Sequence, residues 1–480
     1  MNNWLLRIPQ KYRAYLALLF WGVLCFMLLN KSSYGIDEGA AQALLLIWSV
    51  ADNVVSSIVT LGLPDFRAVF LAPVGFLWTG NVMAAKIFTI FVMSVTAWAL
   101  HSWRWRNGDS EGALLATGLL LISPLVLNQL DTISVTPYLL FTFALGAWAD
   151  LKYRESPQAF GGMYFAQIFL CLVSVTLHPA GLAYPLALLW TWYKNPLNKK
   201  QQNYFFGGIV FTVLVALILT LGWSHVAWFT NPMKGLSSML LGTGDNKGLG
   251  ADRWISGIGM LFIVLLVIWK QASNLWADFL GRILLAALVI AMLTGDETLG
   301  LVALTICLYW GLPLLLQKQT DLNGGFWQQR GVVFLLIVVI STTFMMIDKA
   351  RYQKMSEGQL APSDSLIKAF VENIESLPND EHKQNSPVEK TIRIASQWPA
   401  RTMLACRCDT LALPPAARNE QALFAMLQGL DYLIFDPRDP ANSSLSRNLA
   451  LMDAGKVETV ALQRGGVIVE IKKSPIAQKQ

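Results

Sequence analysis

Two adjacent carboxylates, Asp37 and Glu38, lie in a short polar interruption at residues 34–39, directly after the first apolar stretch. A carboxylate is costly near hydrocarbon, so a pair kept beside a long apolar segment is a candidate for function. The chemistry open to such a group is general base catalysis, in which a carboxylate oxygen takes a proton from a nucleophile. The alternative is a solvated loop in which Asp37 only caps the following helix. The two acids alone do not separate these interpretations.

Three basic side chains, Arg67, Lys86 and His178, are candidates for binding a phosphate. Fixed cations neutralise a phosphate oxygen and stabilise phosphate as a leaving group. Each residue also has an ordinary interpretation. Arg67 would be an interfacial anchor, Lys86 a side chain that reaches the interface from an apolar segment, and His178 a polar residue of a tight turn.

Other polar residues near turns are expected to serve structure. The acidic pair Asp296-Glu297 and the single Asp131 are predicted to lie in solvated turns. The glycine-rich stretch at 223–254 is long enough to close over a ligand, or to act only as a connector.

The sequence contains none of the common short motifs of soluble enzymes. Cys406 and Cys408 form a C-x-C pair whose close spacing argues against a disulfide between them, and His382 is the only histidine in that region. They make no metal motif. The glycine-rich phosphate-binding loops and the hydrolase motif G-x-S-x-G are absent as well, which removes those nucleotide-binding and hydrolase classes.

The composition indicates a membrane protein. Of 480 residues, 54% are hydrophobic and 14% are charged, with a mean hydropathy of +0.45. A soluble domain carries about 25% charged residues. This deficit, together with many apolar runs, predicts a polytopic membrane protein. The net charge of +6 is interpreted as an orientation signal and lipid-surface contact, not as nucleic-acid binding.

About eleven apolar segments are predicted to span the membrane as helices. The first is interpreted as a signal anchor, because it lacks a cleavage site and more spans follow. The segments lie near residues 13–30, 81–102, 112–128, 136–150, 161–177, 179–194, 205–223, 255–270, 277–294, 298–316 and 331–348.

Lys and Arg are divided unevenly between the loops on the two sides of these segments. One face is richer in base, with examples at Arg7, Arg104, Lys152, Lys199 and Lys318. By the positive-inside rule that face is cytoplasmic. The N-terminus is therefore predicted to lie inside and, after an odd number of spans, the last 130 or so residues outside.

The chain is predicted to divide into a transmembrane domain at 1–348 and a small outer α/β domain at 349–480. The first outer loop, 31–80, is predicted to hold an interfacial helix at 38–61, followed by a re-entrant or interfacial stretch. The polar start of the outer domain, 349–389, is predicted to contain a linker. Strands are predicted at 402–405, 410–413 and 432–435, helices at 364–377, 420–430 and 443–451, and a hairpin at 457–471.

Four short stretches carry a resemblance to a known family. Asp37-Glu38 follows the first span and leads into interfacial helices. Gly80 through Lys86 is similar to a Gly-x-x-x-Ala-Ala-Arg start of the second span, with Lys in place of Arg. Ser123-Pro124 is similar to a Ser-Pro turn between spans three and four, and Thr176 through Gly181 to a Thr-Lys-x-x-Gly turn. In this order and on one face, they make the chain resemble the GT-C glycosyltransferases that use polyprenyl-phosphate sugars, a group containing protein O-mannosyltransferases and aminoarabinose transferases.

The resemblance implies a fold, a reaction and a set of roles. The fold is an α-helical polytopic protein of the bacterial inner membrane, with a small C-terminal α/β domain on the extracytoplasmic side. The implied reaction is inverting transfer of a sugar from a polyprenyl-phosphate donor to a lipid, glycan or protein acceptor. Asp37 is the implied general base, and Glu38 positions the acceptor or tunes Asp37 through like charge. Arg67, Lys86 and His178 hold the phosphate.

The chain departs from the family pattern near the phosphate. Many members carry a second Asp a few residues beyond the Ser-Pro turn, where this chain has Thr136, with Asp131 earlier. Lys86 stands in place of Arg and His178 in place of Lys. These changes keep potential cations but alter the geometry, because Arg binds phosphate through two nitrogens and Lys cannot.

Three other functions are compatible with the residues. A transporter or flippase of polyprenyl-linked glycans would place charges at mid-bilayer and often show internal repeats, and the sequence displays neither. A ligase or polymerase of lipid-linked glycans is chemically close to the transferase. A non-catalytic membrane scaffold would depend on the outer domain and not on Asp37.

For the transferase, the expected partners are membrane lipids, a polyprenyl-phosphate sugar and an acceptor, with no nucleic acid. No cofactor is predicted beyond that lipid-linked donor. The need for a divalent metal and the identities of the sugar and acceptor are left open.

Overall fold

The structure, a computed structural model, describes the chain at residues 10–32, 34–51, 65–106, 110–155, 160–194, 206–212, 214, 251–294, 298–312, 338–350, 352–353, 360–376, 392–452, 455–463 and 466–472. Two compact units are present. The first consists of Met1–Leu29 with Lys86–Tyr352, and the second of Asn30–Ala85 with Gln353–Gln480. The predicted first outer loop thus belongs to the same compact unit as the C-terminal residues. The predicted division at residue 348 concerns location in the membrane and stays a prediction.

Helices dominate the described residues. In chain order they are α1 (Gln10–Leu28), α2 (Glu38–Ala51), α3 (Arg67–Leu77), α4 (Val82–Arg106), α5 (Ser110–Leu121), α6 (Pro124–Thr132), α7 (Thr136–Glu155), α8 (Phe160–Leu177), α9 (Ala183–Lys194), α10 (Ala251–Ala277), α11 (Phe279–Thr294), α12 (Thr298–Ile306), α13 (Pro362–Ser376), α14 (Pro399–Cys406), α15 (Glu420–Leu427) and α16 (Ser443–Ala450). Short 3-10 helices lie at Pro179–Leu182 and Pro440–Asn442, and a π-helical turn at Cys307–Gly311 continues α12.

One described helix, α4, is long and apolar enough to cross a membrane, with 25 residues. The bent pair α5–α6 would make a second span if its two helices, inclined at 50°, act as one. Shorter apolar helical stretches of 10–17 residues lie in α1, α2, α3, α8, α11 and α12. The count of about eleven spans therefore stays a prediction. The predicted span at 205–223, the stretch 223–254 and the pair Asp296-Glu297 lie wholly or mainly outside the described residues. The predicted span at 331–348 is described from residue 338 onward and is helical there.

The predicted span at 112–128 is a broken helix. After α5 ends, the hydroxyl of Ser123 accepts the N–H of Leu125 at 3.3 Å and caps α6. Pro124 takes the first helical position, where a missing N–H is tolerated and the fixed φ favours the helix. Since α6 continues to Thr132, Asp131 lies buried in its last turn. The prediction that Asp131 lies in a solvated turn is therefore wrong.

The second unit contains a five-stranded sheet in the order β2-β1-β3-β5-β4. The strands are β1 (Arg393–Ser396), β2 (Asp409–Ala412), β3 (Tyr432–Phe435), β4 (Val457–Gln463) and β5 (Gly466–Ile471). β1 pairs in parallel with β2 and β3, whereas β5 is antiparallel to β3 and β4. The predicted strands at 410–413 and 432–435 and the predicted hairpin are present as β2, β3 and β4–β5.

Helices cover both faces of this sheet because side chains alternate along each strand. Ile434 of β3 belongs to an apolar cluster with Phe370 of α13. Its neighbour Leu433 belongs to a second cluster, with Leu423 of α15 and Leu445 of α16. The sheet is thus the middle layer of a small α/β domain.

Residues 402–405, predicted as a strand, lie instead in α14. Pro399 occupies the start of this helix, where its fixed φ is favourable. Arg407 ends the helix in the left-handed conformation, with φ of 59°, and its N–H bonds to the carbonyl of Met403. This proline start and left-handed end outweigh the strand propensity of the single β-branched residue Thr402.

The helices of the first outer loop belong to the same unit as the sheet. α2 begins at Glu38, as predicted for the interfacial helix, and residues 52–64 lie outside the described ranges. α2 packs against both α3 and α14. Gly75 of α3 permits a close approach, because a Cβ there would lie 2.6 Å from the Ile47 side chain. This packing brings the start of α2 to the α/β domain.

Candidate functional site

Asp37 lies directly before α2 with an exposed carboxylate. Its backbone carbonyl accepts the N–H of Ala41 at 3.0 Å, which opens the helix. The side chain is 44% exposed, and its Oδ2 lies 2.6 Å from Nη1 of Arg67. In the described part of the chain, the other oxygen of Asp37 has no hydrogen-bond partner. The side chain of Asp37 therefore pairs with a cation and leaves one oxygen open, which disfavours the capping interpretation.

Arg67 is buried between two carboxylates. Its Nε donates to Oδ1 of Asp65 at 2.9 Å, and its Nη2 donates to Oδ2 at 2.7 Å. The backbone N–H of Arg67 donates to the same Oδ1 at 2.8 Å. Only 4% of the Arg67 side chain is exposed. Asp65 therefore fixes the guanidinium plane, and the remaining Nη1 is directed at Asp37.

The charge of Arg67 is stabilised by its partners. Burial lowers the pKa of the Arg67 guanidinium, but the charges of Asp65 and Asp37 and their hydrogen bonds raise it further, so that it lies above its ordinary value. Arg67 is thus a permanent cation whose charge is shared by two acids.

Gly39 leaves room for this arrangement. A Cβ at position 39 would overlap Nη2 of Arg67 and Oδ2 of Asp65. The first turn of α2 can therefore lie directly against the ion pair only because it carries no side chain at this position.

The same Asp-x-Arg arrangement recurs in the α/β domain. Arg438 donates to Asp436 through its backbone N–H at 2.9 Å, its Nε at 3.0 Å and its Nη2 at 2.9 Å. There the guanidinium is 48% exposed. The local geometry is thus a property of the Asp-x-Arg spacing, whereas burial and the bond to Asp37 are particular to Arg67.

Glu38 points to the α/β domain and caps α14. Its Oε1 accepts the N–H of Ala400 at 2.7 Å, and its Oε2 accepts the N–H of Arg401 at 3.3 Å. Trp398, the N-cap residue of α14, supplies no side-chain cap of its own. Burial raises the pKa of Glu38, and these two N–H donors and the charge of Arg401 oppose that rise. With both oxygens engaged, Glu38 is a poor candidate for binding an acceptor.

Lys86 is fully buried in α4 of the first unit. Its Nζ lies 3.3 Å from Oδ1 of Asp131 in α6. An ammonium paired inside the protein does not fit a side chain that reaches the membrane interface. The structure thus places a buried ion pair where the sequence predicted a phosphate contact.

His178 caps the turn between α8 and α9. Its Nδ1 accepts the N–H of Ala180 at 3.1 Å, at the start of the 3-10 helix Pro179–Leu182. Gly181 is required by the close packing of this turn, because a Cβ there would overlap the carbonyl of Ser174. This bond engages Nδ1 of His178 in the turn. The tight turn is present as predicted, and the role of His178 in binding phosphate stays a prediction.

The structure brings Asp37, Glu38 and Arg67 together in the second unit. Sequence reasoning missed Asp65, although an Asp two residues before an Arg was the available signal, since Asp side chains often bond the N–H two residues on. It also missed α14, although Pro399 at the first helical position was an available signal, and its contact with Glu38, which no local pattern indicates.

Within the described ranges, no group of three or more His, Cys, Asp or Glu side chains could hold a metal ion. Cys406 and Cys408 are free thiols, and the N–H of Cys408 donates to Sγ of Cys406 at 3.1 Å. This contact closes the end of α14, so we assign the pair a structural role.

The sequence matches no family model and no curated protein. Solved structures share its fold. The archaeal oligosaccharyltransferase AglB from Archaeoglobus fulgidus, in complex with an inhibitory peptide and a dolichol-phosphate, is 11% identical with a TM-score of 0.58. That alignment covers 90% of this chain and 70% of AglB.

A second structure, ArnT from Cupriavidus metallidurans bound to undecaprenyl phosphate, is 13% identical with a TM-score of 0.52. The alignment covers 96% of this chain and 98% of ArnT. These likenesses confirm the predicted resemblance at the level of the fold, which is mostly helical with a small sheet.

Proposed function

We propose that this chain is an integral membrane glycosyltransferase. It transfers a sugar from a polyprenyl phosphate to a lipid, glycan or protein acceptor on the outer face of the bacterial inner membrane. The observation that carries the proposal is Asp37, an exposed carboxylate with one open oxygen, oriented by a buried arginine. The fold supports it, because the AglB and ArnT structures that share it contain lipid phosphates.

Asp37 is the general base. Its open oxygen takes the proton of the acceptor hydroxyl or amine as the acceptor atom bonds to the anomeric carbon of the sugar. The bond between that carbon and the phosphate oxygen breaks, and the polyprenyl phosphate leaves with the electron pair. Attack opposite the leaving group inverts the anomeric centre.

Arg67 positions Asp37 and does not bind phosphate. Its Nε and Nη2 are engaged by Asp65 and its Nη1 by Asp37. A base held by a partner that is itself held by a third group is the arrangement by which active sites fix a reactive side chain. Arg67 thus takes a different role from the one that the resemblance implied.

Lys86 and His178 are the remaining candidates for the phosphate. The ammonium of Lys86 has Asp131 as its counter-ion and would bind the phosphate beside it. His178 would donate a hydrogen bond from Nε2 while Nδ1 keeps its bond to Ala180. Of the three basic residues that the sequence suggested for the phosphate, Lys86 and His178 would then remain.

The topology is part of the proposal. An inside N-terminus and about eleven spans would place Asp37 and residues 349–480 outside. The low charge content and the apolar helix α4 support a membrane location.

The test compares a deletion strain complemented with the wild-type chain or with Asp37→Asn. Mass spectrometry of envelope lipids and exported proteins should show a sugar that is lost in the deletion and not restored by Asp37→Asn. Asp409→Asn is the matched control, because Asp409 pairs with the exposed Arg393 on the sheet. Normal product from Asp37→Asn at equal protein levels would exclude Asp37 as the base. An unchanged glycan profile in the deletion strain would contradict the transferase itself.

A further inference from the structure

The carboxyl end of β1 lies where the strand order of the sheet reverses. β1 has β2 on one side and β3 on the other, both parallel to it. In open α/β sheets, ligands bind outside the carboxyl ends of the strands at such a point. β1 ends at Ser396 and α14 begins at Pro399, so the N-terminus of α14 lies at this point.

The first turn of α14 is fixed by buried polar contacts. The hydroxyl of Ser396 accepts the N–H of Trp398 at 3.0 Å and lies 2.8 Å from the hydroxyl of Thr402. Arg401 forms an ion pair with Asp364 of α13. The first backbone N–H groups of α14, which have no partner within the helix, are therefore held in a defined place by the domain.

Those N–H groups are occupied by Glu38. The N-terminus of a helix binds anions through its unpaired N–H groups and its dipole. In this chain a carboxylate from α2 takes the position at 2.7 Å from Ala400 N and 3.3 Å from Arg401 N. The group bound where the strand order of the sheet reverses is thus the carboxylate of Glu38, a side chain of the same protein.

We propose that Glu38 is a positioning residue, which binds the N-terminus of α14 and so ties Asp37 to the α/β domain. The inference rests on the proposed role of Asp37 as the base. Asp37 is the next residue in the chain and is held from its other side by Arg67. A shift of Glu38 therefore moves the base, and a displacement of about 1 Å at a reacting group costs roughly 100-fold in rate.

This assignment gives the α/β domain a function in catalysis. The domain supports the base through Glu38 and does not need to contact the sugar. Glu38 also ceases to be a candidate for binding the acceptor, the role that the sequence suggested.

The first measurement is hydrogen exchange on the purified full-length chain in detergent. Glu38→Ala should speed exchange of the Ala400 and Arg401 amides roughly tenfold, because a lost helix cap frees these donors. Glu420→Ala is the matched control, since Glu420 lies in the first turn of α15 in the same domain and pairs with Lys456. It should leave exchange at Ala400 and Arg401 unchanged.

The second measurement separates positioning from folding. Glu38→Ala should bind undecaprenyl phosphate as the wild type does, measured by native mass spectrometry, while forming about 100-fold less glycan product in the complemented deletion strain. If that variant does not accumulate, Glu38→Gln serves instead, because its amide oxygen still accepts one N–H.

Three results would overturn the assignment. Unchanged exchange at Ala400 and Arg401 would show that Glu38 does not hold α14. Faster exchange with normal product would show that the contact is irrelevant to the base. Loss of undecaprenyl phosphate binding together with product would indicate a general structural role. Failure of the proposed function is a separate outcome, seen as normal product from Asp37→Asn.

Discussion

Arg67→Lys removes the geometry of the ion pair and keeps its charge. The guanidinium holds Asp65 through two nitrogens and Asp37 through the third. A lysine ammonium is a single point of charge and cannot hold both carboxylates in these directions. The substitution therefore loses about two charge-assisted hydrogen bonds, each worth roughly 1.5–3 kcal/mol when shielded from water.

Exposure to solvent reduces the free energy that these hydrogen bonds contribute. Asp65 is 20% exposed and Asp37 is 44% exposed. Because ion pairs in contact with water contribute about 0–1 kcal/mol, we expect a loss of about 2 kcal/mol in the free energy of unfolding. The effect on the reaction should be larger, roughly 10- to 100-fold less product, because Asp37 is no longer directed at the acceptor.

The control is Arg438→Lys, which changes the same Asp-x-Arg arrangement at a position where the guanidinium is 48% exposed. It should lower stability by about 0–1 kcal/mol and leave product formation unchanged. Thermal unfolding in detergent and glycan analysis of the complemented strain measure the two quantities. If Arg67→Lys and Arg438→Lys behave alike in both assays, the buried pair does not orient Asp37. A double-mutant cycle with Asp65→Asn should give a coupling of about 1–3 kcal/mol for Arg67 and a smaller one for the control pair.

Gly39→Ala should reduce product while the chain still folds, because the added methyl group overlaps the Arg67–Asp65 pair; normal product would mean that α2 can move away without consequence. Burial raises the pKa of Glu38 above its ordinary value of 4.5. The stability that Glu38 contributes is therefore full below pH 4.5 and is lost as the pH rises through the raised pKa. Glu38→Gln should consequently flatten the fall in thermal midpoint between acid and neutral pH. Lys86→Met should destabilise the chain by about 3–5 kcal/mol by leaving Asp131 buried beside an apolar side chain, and adding Asp131→Leu should recover part of that loss in thermal unfolding.

Local patterns predicted the parts of the fold that local interactions determine. β3 is an apolar run followed by Asp-Pro, and Gly466 follows β4 at the hairpin, so both were visible in the sequence. Asp131 was misassigned because a serine cap and a proline restarted a helix inside what looked like one span. The mostly helical fold was predicted through the resemblance, whereas the number of spans inferred from apolarity stays a prediction.

The sequence predicted the candidate site only in part, because some of its contacts depend on packing between residues distant in the chain. Asp37 was identified because an acid beside a long apolar segment is unusual in itself. The partner of Arg67 was visible as a local Asp-x-Arg spacing, but burial, which decides the role of Arg67, depends on the packing of α2 and α3. The contact of Glu38 with Ala400 joins residues 362 positions apart, and no short pattern encodes it.

This sequence separation has a consequence for biosynthesis. Glu38 leaves the ribosome 362 residues before the amide that it binds. At about 5–20 residues per second, the acidic loop waits on the order of 20–70 s for its partner. Glu38 binds the N-terminus of α14, which follows β1. Because β1 pairs with β2 and β3, which come later in the chain, this contact is among the last to form. A nascent chain therefore carries its acidic loop undocked until the residues of α14 and the sheet have been made, and activity that depends on docking begins only after that.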